Sequence, residues 1–291
     1  MVSMFNHKTL SRINSSTTNT TTIKRKDEKR PLRSLARYSR RIVKHPEFII
    51  IIATIAVSSI TAYILLTRDP NSLLYYGDGI SHLVIARRVF DWIIPGLAQL
   101  GSVWLPMTHI MLMPFVTNDF LFHTGLAGTI VSTISTAITA VAIFRIVKLQ
   151  FNSTSVGFLA SALYMANTSV IYMAVVPMME APFMMFFMLA VYYIQKWYSI
   201  YTKNADIWKQ YRVILKCAIA ISAATLTRYE AWALPIGVAI IILIVMLVIR
   251  KESWKRRVEA LLYVAIPYSF LGISGWVLWN LVIFRNALEF A

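Results

Sequence analysis

The chain has 291 residues, 57% of them hydrophobic and 14% charged, with a mean hydropathy of +0.61. A soluble domain of this length is less apolar and carries more charge, so a soluble globular enzyme is excluded. The 29 Lys and Arg outnumber the 13 Asp and Glu, but most of the excess lies in the N-terminal tail and in short loops between apolar runs, which points to membrane orientation and anionic headgroups rather than nucleic acid.

The apolar residues fall in blocks of about twenty, the length that crosses hydrocarbon of roughly 30 Å. The expectation is an all-α, polytopic transmembrane helical bundle of about seven spans. A membrane barrel needs alternating segments of about ten residues, and the sequence lacks them. Residues 1–46 are polar: Asn14–Thr22 is a Ser/Thr/Asn run and Lys24–Lys44 is strongly basic. This predicts a disordered basic tail on the cytoplasmic side. The first apolar run begins too far in, and runs too long, for a cleaved signal peptide. Residues 47–291 are then the transmembrane domain, with spans predicted at Phe48–Leu66, Leu121–Ile146, Val156–Val175, Pro182–Tyr198, Val213–Thr227, Ala231–Ile249 and Ala260–Phe284.

Between the first two spans lies an extracytoplasmic loop, Arg68 to Leu105, with interfacial helices. In it Ile80–Ile94 reads as a helix carrying Leu83, Ala86, Phe90 and Ile93 on one stripe. Trp104–Phe115 holds Pro106, His109 and Pro114 and is too short to span, so it reads as a second interfacial or re-entrant helix. Cytoplasmic loops are rich in Lys and Arg. That rule places the tail, Arg145 and Lys148, the Lys196–Lys216 segment and Arg250–Arg257 inside. It also places Asp78, Glu180, Arg228 and Glu230 together outside.

Cys217 is the only cysteine, so an internal disulfide and a cysteine-rich metal site are absent. No Walker motif or GxGxxG is present, so the donor in a transfer reaction is expected to be dissolved in the membrane. Asn14, Asn19, Asn152 and Asn167 open N-x-Ser/Thr triplets. They are read as chance, because the first three fall inside and the fourth lies close to the membrane.

Asp78 sits between Gly77 and Gly79 in Tyr76-Gly77-Asp78-Gly79. The glycines allow a sharp turn and a close approach to a ligand. The carboxylate is either a general base or a cap on the following helix, or both. Glu180, between apolar helices, either faces a cavity or partner or is an ordinary loop carboxylate in water. Arg228 either pairs with Glu230 or binds a phosphate, whose geometry a guanidinium matches. His82, within a turn of Asp78, reads as a surface histidine of an interfacial helix, and His109 and His123 read similarly. The Met178–Met188 run is lipid-facing or packing surface. No metal site is called for and no cofactor is certain, although a hard divalent cation between Asp78 and Glu180 stays open.

With these residues placed, the chain resembles the GT-C glycosyltransferases, in the branch of the protein O-mannosyltransferases and lipid A aminoarabinose transferases. The resemblance rests on Tyr76-Gly77-Asp78, on Gly101-Ser102-Val103-Trp104-Leu105-Pro106-Met107-Thr108-His109, on Pro177-Met178-Met179-Glu180-Ala181-Pro182, on Leu226-Thr227-Arg228-Tyr229-Glu230-Ala231-Trp232 and on Trp279 to Phe290. It implies a membrane glycosyltransferase that takes a polyprenyl-phosphate sugar donor and serves a protein, lipid or glycan acceptor at the extracytoplasmic face. It implies Asp78 as catalytic base, Glu180 as second acidic residue and Arg228 as the donor-phosphate ligand, supported by His82, His109, Tyr229 and Glu230. Family members often carry an Asp-Glu or Asp-x-Asp pair, where this chain has Gly79 and Ile80. Members are also often longer, so the chain is expected to be the N-terminal part of the usual architecture, in a split, truncated or inactive form. The alternatives are a non-catalytic membrane scaffold and a lipid or solute transporter. A transporter predicts ionisable groups at the bilayer midplane, whereas the charges here gather at one face.

Overall fold

The computed structural model describes residues 46–251 and 254–290. The basic tail expected over residues 1–46 lies, Pro46 aside, outside them. Among the described residues every regular element is a helix, as expected where backbone polar groups must be satisfied within their own segment.

Helix α1 spans Pro46–Arg68 and matches the first predicted span. A 3₁₀ turn at Ser72–Leu74 leads into α2, Gly77–Arg88. Here the predicted Ile80–Ile94 helix needs correction: α2 starts earlier and stops sooner. The backbone N–H groups of Phe90 and Asp91 both bond to the Arg87 carbonyl and close the chain into a turn. Leu83 and Ala86 are buried as the stripe predicted, but Phe90 and Ile93 leave the helix and are 49% and 89% exposed. After a 3₁₀ turn at Leu97–Leu100 comes α3, Met107–Val116, which is the short apolar helix expected over Trp104–Phe115.

The predicted Leu121–Ile146 span is divided. A single turn, α4 (Asp119–His123), precedes the long α5 (Leu126–Phe151). Gly125 separates them at a φ of 79°, a backbone setting glycine adopts at little cost. The predicted Val156–Val175 span is likewise two helices, α6 (Thr154–Met165) and α7 (Thr168–Met173). Asn167 makes the break: its side-chain oxygen accepts from the N–H groups of Ser169 and Val170 and starts α7 afresh. Then follow α8 (Glu180–Thr202), α9 (Ile207–Thr225), a 3₁₀ turn at Tyr229–Ala233, α10 (Leu234–Val248) and α11 (Trp254–Phe284).

Among the described residues four helices are long and apolar enough to cross a membrane: Pro46–Arg68, Leu126–Phe151, Tyr229–Val248 and Trp254–Phe284. Helices α8 and α9 have the length but carry polar groups along it, Tyr193, Gln195 and Lys196 on one and Lys209, Arg212 and Lys216 on the other.

A core of Trp197, Tyr201, Ile214, Ile221, Ile242, Met246 and Leu261 joins α8 to α11. A second, with Leu83, Ala86, Leu112, Val116 and Val131, fixes α2 and α3 against α5. Small residues let the helices approach closely, with Ala218, Ala220 and Ala224 buried on α9. Outward faces are apolar instead of polar, with Ile240, Ile244, Leu271 and Leu278 exposed.

Candidate active site

The site is built around a short unwound segment, 174–179, between α7 and α8. The carbonyls of Ala174, Val175 and Val176 are served by hydroxyls from α5, and that of Val176 also accepts the Met178 N–H at 2.8 Å. Thr129 Oγ1 donates to the Val175 carbonyl at 2.6 Å, Ser132 Oγ to Val176 at 2.7 Å and Thr133 Oγ1 to Ala174 at 3.0 Å, all buried. Such side-chain donors allow irregular backbone to sit at membrane depth. Next in the chain, Pro177 is wedged between two glycines. A Cβ on Gly128 of α5 would stand 2.1 Å from Pro177 Cβ, and one on Gly79 of α2 would stand 2.9 Å from Pro177 Cγ. One proline therefore joins the start of α2, the start of α5 and the lead into Glu180.

The glycines beside Asp78 act differently from the sequence expectation. Both lie inside α2 and neither has a positive φ, so there is no sharp turn; Gly79 is needed for the approach of Pro177. The capping reading of Asp78 also needs correction. Tyr76 holds the cap position without a side-chain bond, and Asp78 lies in the first turn. Among the described residues its carboxylate makes no hydrogen bond, and the residue is exposed. Its relation to the helix is the modest attraction of a negative charge to a helix start.

Glu180 opens α8 and reaches Arg228. Arg228 Nη1 donates to Glu180 Oε1 at 2.9 Å, while Nη2 and Nε donate to the two oxygens of Glu230 at 2.8 and 3.3 Å. The sequence offered the Glu230 pair; the second partner, Glu180, 48 residues away, comes only from the fold. The hydrogen bonds to Glu230, and then the charges of both carboxylates, raise the Arg228 guanidinium above its ordinary value. The second Glu180 oxygen, Oε2, is buried and has no partner among the described residues. Glu180 is thus neither a free loop carboxylate nor fully satisfied.

The segment from Gly101 to Met107 ties these parts together. Trp279 Nε1 donates to the Gly101 carbonyl at 3.2 Å, Tyr229 Oη donates to that of Val103 at 2.8 Å, and the Met107 N–H bonds to Leu226 at 2.9 Å. Trp104 lies on the ring of His82 with centroids 4.6 Å apart. Tyr229 and Trp232 form an aromatic group with Phe290, at 5.5 and 5.4 Å.

His82 and His109 are not surface residues, which corrects the sequence reading. They are 1% and 0% exposed, and His82 Nδ1 is 2.9 Å from His109 Nε2. Burial pushes His82 down to about 4 against the opposing pull of Asp78. Burial, then the neighbouring His82, pushes His109 down to about 3. Both rings are therefore neutral at physiological pH, and one donates to the other. Their remaining nitrogens, His82 Nε2 and His109 Nδ1, are buried without partners. The helix periodicity hid this, because both histidines face the α2–α3 contact. His123 is exposed, as expected.

Sequence reasoning missed Arg88. It lines a cleft of about 530 Å³ between α2 and the Ala98–Trp104 segment, closed on one side by Phe284. The guanidinium lies over Trp92 at 4.3 Å, and its buried Nε has no partner among the described residues. Its neighbour Arg87 is fully engaged, with Asp91, Asp119 and the Val116 carbonyl. Charge counting along the chain treats the two arginines alike, and only packing separates them.

The open question of a divalent cation can be tested on the donor set. Glu180 is committed to Arg228. Among the described residues no three His, Cys, Asp or Glu side chains gather as a metal would require. The residues do not fit a cation between Asp78 and Glu180.

Comparison with known proteins gives one match. The sequence model of a family described as dolichyl-phosphate-mannose-protein mannosyltransferase matches residues 106–279, more than half of the chain. No curated protein and no solved structure matches it.

Proposed function

Since the chain belongs to the dolichyl-phosphate-mannose-protein mannosyltransferase family, we propose that it moves a sugar from a polyprenyl-phosphate donor to an acceptor hydroxyl or amide at the site of Asp78, Glu180 and Arg228. The observation that carries this reading is the convergence on Arg228. A guanidinium with two carboxylate partners is paired with Glu180, which follows three residues after the proline that packs on Gly79 of the Asp78 helix. An arginine held in part by an exposed, exchangeable carboxylate is poised to accept a phosphate in its place. Glu230, with a side chain 65% exposed, is the partner that yields; Glu180 stays to orient the guanidinium.

In this reaction the acceptor heteroatom attacks the anomeric carbon. The bond from that carbon to the phosphate oxygen breaks, and the electron pair leaves on the polyprenyl phosphate next to Arg228. The acceptor proton goes to the Asp78 carboxylate, which no protein donor occupies. Phosphate is a good leaving group, so removing the acceptor proton is the contribution asked of the protein. The Arg88 cleft, apolar with one cation, offers the donor or acceptor a path to the site.

The topology we infer has the N-terminus inside and seven spans. The four long apolar helices are joined by α6 with α7, by α8 and by α9, and the loop charges set the orientation. The test of the activity is direct. Purified protein in liposomes is given radiolabelled polyprenyl-phosphate sugars and a panel of protein, lipid and glycan acceptors. Label appearing on an acceptor, dependent on the protein, is expected. Donor that binds without turning over would favour the non-catalytic scaffold.

A further inference from the structure

The other end of the bundle carries a second concentration of charge that transfer chemistry does not use. Helix α8 begins at Glu180 and ends at Thr202; the rise from Glu180 to Lys196 is about 24 Å. At that far end lies a cavity of about 700 Å³, lined by Arg145 and Lys148 of α5, Tyr192 and Lys196 of α8, Lys203, and Glu47 of α1. Four cations face one carboxylate. Arg145 Nε meets Glu47 Oε1 at 3.2 Å. Among the described residues Lys148, Lys196 and Lys203 have no ion-pair partner.

The Tyr192 ring gathers two of the cations, with Arg145 5.7 Å and Lys196 5.6 Å from its centroid. Cations drawn to one aromatic ring repel each other, and the single Glu47 carboxylate balances only one of them. Compensation of a helix end does not explain the cluster. The last carbonyls of α8 are taken by Lys251, whose Nζ donates to Tyr201, to Thr202 at 3.0 Å and to Asn204 Oδ1 at 2.6 Å. Lys196 and Lys203 are free of that duty. Helix α1 leaves the cavity at Glu47 with Phe48, Ile52 and Ile55 exposed, an apolar wall along which acyl chains can lie.

We propose that this cavity binds the phosphate of an anionic phospholipid headgroup, held by Arg145, Lys148, Lys196 and Lys203. The site is distinct from the transfer site and stands whether or not the chain transfers sugar.

The test reads lipid retention rather than activity. The purified full chain is equilibrated with mixed phosphatidylcholine and phosphatidylglycerol, and the lipid that stays bound is counted by native mass spectrometry. The native chain is expected to retain phosphatidylglycerol about tenfold over phosphatidylcholine. The variant Lys148→Gln/Lys196→Gln/Lys203→Gln is expected to lose that preference with its Tm unchanged, since all three side chains reach solvent. The control Lys209→Gln/Lys255→Gln/Arg256→Gln, equal in charge but outside the cavity, is expected to keep it. Equal loss in both variants, or no preference in the native chain, overturns the proposal. Displacement of the lipid by millimolar inorganic phosphate also overturns it, by making the ligand a soluble anion.

Discussion

Arg228 has a structural role and is proposed to have a functional one. Its three hydrogen bonds hold the turn after α9 against the start of α8, and the same donors match a phosphate. Arg228→Ala is expected to weaken donor binding by about tenfold or more, because a charge-assisted contact contributes ~1.5–3 kcal/mol. Arg228→Lys keeps the charge without the fork and is expected to fall between. Titration with a fluorescent polyprenyl phosphate measures both, and unchanged affinity in each returns Arg228 to a structural role. The histidine pair makes a separate prediction. Its rings titrate near 6.5 when unfolded, and near 4 and 3 when folded. The unfolded chain therefore binds more protons between those values. Stability is unaffected above pH 6.5 and falls as pH drops from 6.5 toward 3. A Tm series in detergent is expected to show this slope, and His109→Gln is expected to lose part of it. Equal slopes in both proteins would remove the pair from the account. Residue types and spacing flagged Asp78, Glu180 and Arg228. The Glu180 partner of Arg228, the buried histidines and the placement of Arg88 in its cleft depend on tertiary contacts, which no local pattern carries.

At the scale of elements, the segment from Ala174 to Met179 decides where Glu180 stands. Gly128→Ala would put a methyl 2.4 Å from Pro177 Cα, backbone that cannot swing aside. The expected cost is about 1–3 kcal/mol, with reduced turnover as Glu180 shifts. Ser132→Ala removes the 2.7 Å bond to the Val176 carbonyl, which keeps the Met178 N–H at 2.8 Å, and costs about 0.5–1.5 kcal/mol. Thermal unfolding with parallel turnover measurements checks both; a Gly128→Ala protein as stable and active as the parent would deny the wedge its role. The long apolar helices were legible because composition and length announce them. Boundaries set by a single contact were not. Asn167 divides a continuous apolar run by capping, and Gly125 divides another through its backbone. Hydropathy averages over both. Helix α2 failed in the opposite way: its stripe continued in the sequence after a turn at Arg87 had already ended the helix.

For the whole molecule, the claim is that five separated segments form one transfer site on one side of a membrane. The tie of Gly101–Met107 to Leu226, Tyr229 and Trp279 joins three of them, and Pro177 joins the remaining two. Sidedness follows from labelling. Cysteines introduced at Asn71 and Lys209, both exposed, are expected to react from opposite sides, while Cys217 at 1% exposure stays silent. Reaction from the same side would break the seven-span topology. The site itself is tested most directly by Asp78→Asn, which keeps size and removes the base. Purified parent and variant are compared for sugar transfer from a polyprenyl-phosphate donor, with donor affinity measured on the same samples. The account predicts turnover reduced by about 10²–10⁴-fold with affinity retained; transfer at the parent rate would contradict it.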